Sequence, residues 1–158
     1  FKAYSCNGQV FTFTSEEFTC DRSHDQTGTY EDGAQGRLAR LDNSDWGYIR
    51  TSESNGLPFD RTKSGALERG TRLTVLGFPL GIGANSETDI NPIYGSGIVA
   101  CNGLQQGVIL TTDTNYEQGN SGGPVFYTAS DGALSVVGIV SAGAGRVTGF
   151  VVPISAVR

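Results

Sequence analysis

Ser121 stands in the run Gly119-Asn120-Ser121-Gly122-Gly123-Pro124, followed by Val125-Phe126. A serine hydroxyl is a poor nucleophile until a base takes its proton, and acyl transfer also needs donors for the developing oxyanion. A turn this rich in glycine supplies such donors. Gly119 can take a positive φ, so its N–H and that of Ser121 can face one small concavity. Gly122, Gly123 and Pro124 then end the turn and lead into the strand Val125-Phe126-Tyr127. A glycine-rich hexamer alone is as readily a plain surface turn, because short motifs carry a real false-positive rate.

The second chemical group is Asp45, in Ser44-Asp45-Trp46-Gly47-Tyr48-Ile49. An aspartate at the mouth of a strand, followed by apolar residues, can be half-buried with its carboxylate aimed at a neighbour. The bland alternative is a turn aspartate that starts a strand.

The elements that must position these groups are strands. The chain has 158 residues, enough for one domain with a real core. Its 23 glycines, its lack of methionine and its recurring β-branched runs predict an all-β protein with many turns. A formal charge of −5 argues against a nucleic-acid-binding surface. Basic residues are scattered, apart from a loose group at Arg61, Lys63, Arg69 and Arg72. No apolar stretch approaches a membrane span. Cys6 and Cys20 flank a hairpin-like segment and could pair outside the cytoplasm, leaving Cys101 over. None of the three has a metal-ligand spacing with His24, so no zinc site is expected. No cofactor is implied.

In order, strands are expected at 1–5 and 9–14 around an Asn7-Gly8 turn, then at 36–41 and 45–50. The polar segment from Asp21 to Gln35 reads as a surface loop. Thr51 to Gly70 reads as a connector between two sub-domains. Further strands follow at 71–79, 94–100, 108–113, 125–128, 135–143 and 149–154, with hairpin turns at Asn102-Gly103 and Ser130-Asp131-Gly132. Ser155 is placed to cap a short helix. The even spacing after Thr71 is that of a complete small barrel. The expected division is a partial barrel with its connector over 1–60 and a complete barrel over 61–158.

This order of elements resembles the trypsin-like serine peptidases of the two-barrel chymotrypsin fold, nearest their glutamyl-endopeptidase-like and HtrA-like bacterial branches. The resemblance is carried by Ser44 to Ile49, Leu76-Gly77-Phe78-Pro79-Leu80-Gly81, Gly119 to Pro124, Val137-Gly138-Ile139-Val140-Ser141, and Gly149-Phe150-Val151-Val152-Pro153. The 76 residues between Asp45 and Ser121 are the separation those branches lead one to expect. It implies two six-stranded antiparallel barrels, the first incomplete in this chain. It also implies that Ser121 attacks the scissile carbonyl, that Asp45 orients the catalytic histidine, and that the N–H groups of Gly119 and Ser121 form the oxyanion hole. Ser141-Ala142-Gly143 would pair with the substrate backbone as an edge strand. Asn115 and Tyr116 would shape the primary specificity pocket. Asn115 carries no charge to hold Lys or Arg, and Val140 stands where glutamate-specific relatives place a histidine. Small or aliphatic residues are therefore expected before the cleaved bond.

A triad also needs a histidine, and His24 is the only one in the chain. It lies 21 residues before Asp45 with polar sequence on both sides, whereas the family's histidine follows an apolar strand. Either His24 is the base or the base lies outside this chain. The reading adopted is a piece of a longer protein, in which an N-terminal segment or companion chain completes the first barrel and supplies the histidine. Peptide or protein substrates are the expected partners, and a secreted or periplasmic location is expected. The competing function is a non-catalytic peptide-binding domain on the same fold.

Overall fold

A computed structural model of the chain describes residues 2–4, 10–21, 26–29, 35–38, 43–51, 56–79, 91–144 and 147–158. His24, Cys6, the Asn7-Gly8 turn and the Leu80-Gly81 pair lie outside the described residues.

The second half folds as expected. Strands β7 (Arg72–Gly77), β8 (Ile93–Val99), β9 (Ile109–Thr112), β10 (Pro124–Thr128), β11 (Leu134–Ala144) and β12 (Thr148–Pro153) close an antiparallel barrel in the order β10-β11-β12-β9-β8-β7. The period of two in the sequence sets the faces. Leu73 and Val75 of β7, Val99 of β8, Ile109 of β9, Val125 of β10 and Val151 of β12 point inward and are almost fully buried. Together with Leu67, Val137 and Val140 they form one core.

Glycines on β8 and β12 leave one end of this core open, and the segment before the nucleophile loop fills it. A methyl group on Gly149 would overlap one edge of the Tyr116 ring and sit 2.6 Å from Thr111 Oγ1, and one on Gly97 would sit 3.1 Å from the Tyr116 hydroxyl. Gly149→Ala is therefore expected to cost about 1–3 kcal/mol through overpacking. A lowered midpoint in urea unfolding measures it, and an unchanged midpoint would show that Tyr116 is loosely seated.

Before the barrel, the described strands form three two-stranded sheets. β1 (Lys2–Tyr4) pairs with β2 (Val10–Thr12), β3 (Phe18–Cys20) with β6 (Gly47–Ile49), and β4 (Gln26–Thr29) with β5 (Gln35–Leu38). The pairing of β4 with β5 corrects the expected loop over Asp21 to Gln35. The β-branched Thr27 and Thr29 of that segment find partners in Arg37 and Gln35. Cys20 and Cys101 are free thiols, while Cys6, with which Cys20 could pair, lies outside the described residues.

The connector holds one helical turn that periodicity cannot reveal, α1 (Arg61–Gly65). Asp60 caps it by accepting from the Lys63 N–H at 2.8 Å. Just ahead, Phe59 forms a parallel bridge to Val136, with the Asp60 N–H on the Val136 carbonyl at 3.0 Å. Ser155 lies inside a 3₁₀ turn over Ile154–Ala156 rather than capping it, and its N–H donates to Ser64 Oγ. Among the described residues no helix is long and apolar enough to cross a membrane.

Candidate active site

The nucleophile loop is tied down on three sides. The Phe78 N–H donates to the Gly119 carbonyl, the Gly122 N–H to Val140, and the Val140 N–H to Gly123. Gly119 has a φ of 104°, and a Cβ there would overlap the Phe78 carbonyl. No other residue fits that position. Asn120 is buried, its amide oxygen occupying the space that the missing side chain of Gly77 leaves. Pinned in this way, the turn leaves Ser121 on the surface. The N–H groups of Gly119 and Ser121 have no acceptor among the described residues.

Ser141 connects the two chemical groups. Val140 pairs with Val151 and Ala142 with Phe150, so Ser141 is the extra residue of a β-bulge in β11. Bulges re-aim side chains. Here the Ser141 hydroxyl donates to Asp45 Oδ2 at 2.5 Å, across 96 residues of sequence. Its carbonyl accepts from Ser121 Oγ at 3.3 Å. One residue of the barrel thus holds the aspartate of the first half and the serine of the second. The sequence pointed to Ser141 only as a substrate-pairing residue; its grip on Asp45 was missed.

Asp45 itself follows the Ser44 turn and enters β6, and it is half-buried. Between it and Ser121 lies a cleft of about 510 Å³, walled by Phe18, Cys20 and Trp46 on one side and by Gly122, Ile139 and Val140 on the other. A smaller hollow of about 190 Å³ adjoins Ser121 and is lined by Tyr116, Val140, Ala142 and Gly143, with Glu117 and Gln118.

The two pocket residues named from sequence go different ways. Asn115 is turned to β8, where its amide oxygen accepts from the Ser96 N–H at 3.0 Å, and it does not line the hollow. Tyr116 does. Thr111 Oγ1 lies 3.1 Å from the Gly149 carbonyl and 3.4 Å from the Tyr116 hydroxyl. With its single proton serving the carbonyl, the threonine oxygen accepts from the phenol. Burial pushes the Tyr116 phenol above its ordinary value, so it stays neutral.

A closed six-stranded antiparallel barrel carrying a glycine-held serine, with an aspartate delivered from the preceding half, is an all-β fold of the chymotrypsin type. The family model for a trypsin-like peptidase domain matches residues 7–139, and the chain belongs to that family. A comparison with curated proteins returned no match. The family is one of serine proteases, hydrolases of the trypsin-like kind.

Proposed function

We propose that the chain is the nucleophile-bearing part of a serine endopeptidase that works through an acyl-enzyme on Ser121. The observation that carries this reading is the Asp45–Ser141–Ser121 connection, which aligns carboxylate and hydroxyl on opposite walls of one cleft. An imidazole seated there takes the Ser121 proton as Oγ bonds to the substrate carbonyl carbon. The N–H groups of Gly119 and Ser121 receive the oxyanion. Collapse breaks the peptide C–N bond, and the imidazolium returns its proton to the departing amine. Water then repeats the sequence on the ester and frees Ser121. The imidazole comes from His24 or from a histidine outside this chain, and the cleft has room for one.

The smaller hollow supports a preference for small or aliphatic residues before the cleaved bond. Tyr116, seated over Gly149, fills space that a deep pocket would use. Substrates ending in Ala or Val should exceed those ending in Phe, Glu or Lys by about tenfold or more in kcat/KM. A lysine preference would overturn this and point to Glu117 as its counter-ion.

The competing reading is a peptide-binding domain without catalysis. Fluorophosphonate labelling of the protein, with peptide affinity measured alongside, tests the proposal. Binding without any labelling, even with imidazole added, would replace it with that reading.

A further inference from the structure

A second recess lies away from Ser121. It is a groove of about 710 Å³ lined by Tyr48, Arg50, Phe59, Arg61 and Arg158, with Thr51, Ile154 and Val157. Three of the chain's 11 basic residues meet in it, and no carboxylate side chain is among its described lining residues. In a chain of net charge −5 such a concentration creates a local field opposite to the protein's own.

One wall of the groove, formed by Phe59 and Arg61, is anchored. Phe59 is 60 % exposed, yet its backbone is fixed by the bridge to Val136. The Arg61 guanidinium donates through Nη1 to the carbonyls of Ile154 at 3.0 Å and Val157 at 2.6 Å, and it lies 5.4 Å from the centre of the Phe59 ring. Arg50 is 5.8 Å from the Tyr48 ring centre, and Tyr48 stacks on Trp46 of the catalytic cleft with ring centres 6.1 Å apart. Trp46 lines the cleft and Tyr48 lines the groove, so the two recesses adjoin along the strand, with these two residues about 7 Å apart in extended chain. Guanidinium groups on aromatic faces, one of them held in advance at Arg61, are suited to carboxylates carried next to apolar side chains.

We infer that this groove binds an acidic, aromatic-containing polypeptide segment of a partner protein. The inference does not require Ser121 to be catalytic, so it is tested in the Ser121→Ala background. The probe is a fluorescein-labelled peptide of alternating Glu and Phe, compared by anisotropy with the same peptide carrying Lys for Glu. The acidic peptide should bind, and its affinity should fall as ionic strength rises. Arg50→Glu and Phe59→Ala should each weaken it by about tenfold or more. Phe59 projects from backbone held by the bridge to Val136 and Arg50 is exposed, so the variants should fold; matching far-ultraviolet spectra check this. Arg61→Lys retains charge but loses the fork and should weaken binding less than Arg50→Glu. Equal binding of the lysine peptide, indifference to Arg50→Glu, or tighter binding of a polyuridine oligonucleotide would each overturn the assignment.

Discussion

Ser121→Ala should abolish labelling by a fluorophosphonate and lower peptide hydrolysis by about 10⁴-fold or more. The effect is large because the hydroxyl forms the covalent bond, and nothing else at the tip of the loop can replace it. The control is stability. Ser121 is exposed and its oxygen makes one long bond to the Ser141 carbonyl, so the melting temperature should hardly move. Running the assay with and without imidazole adds a second result. If wild-type labelling appears only with imidazole, the base comes from outside this chain. If labelling is full without it, and His24→Ala removes it, His24 is the base. Undiminished labelling of Ser121→Ala would exclude this nucleophile.

Asp45→Asn should lower kcat by about 10⁴-fold with little change in peptide affinity. The amide keeps the shape and can still accept from Ser141. It cannot hold an imidazole in the required tautomer or stabilise the imidazolium. Ser141→Ala offers the comparison. It removes the hydroxyl on Asp45 Oδ2 and leaves the carboxylate its charge, so the loss should be smaller. Equal losses in the two variants would mean that Asp45 acts only through its bond to Ser141. An unchanged kcat in Asp45→Asn would remove Asp45 from the mechanism.

The barrel was legible because Leu73 and Val75 alternate with polar neighbours in Arg72–Gly77, and the burial follows that period. The nucleophile loop was legible because glycine, serine and proline each have a local reason to be there. Three features were not. Gln26–Thr29 is polar on both faces, so its pairing depends on a partner that the segment does not announce. The direction of Asn115 depends on which neighbour offers an unpaired N–H, and Ser96 of the adjacent β8 offers one. The grip of Ser141 on Asp45 escaped because a bulge is a relation between two strands; the run Val140-Ser141-Ala142 contains no sign of it. The loose basic group was visible but misleading. Lys63 sits over the Tyr127 ring, while Arg61 joins residues 11 positions before it and 97 after it.

The bulge at Ser141 makes the site a matter of parity. A strand alternates its faces, so one additional residue exchanges inside for outside along everything beyond it. Removing Ser141 would let Val140 run directly into Ala142 and restore an even ladder against β12. The barrel would lose no buried apolar side chain. It would lose the single position whose hydroxyl and carbonyl face the two halves at once. Here the odd residue is what separates a closed barrel from a barrel that can grip its other half.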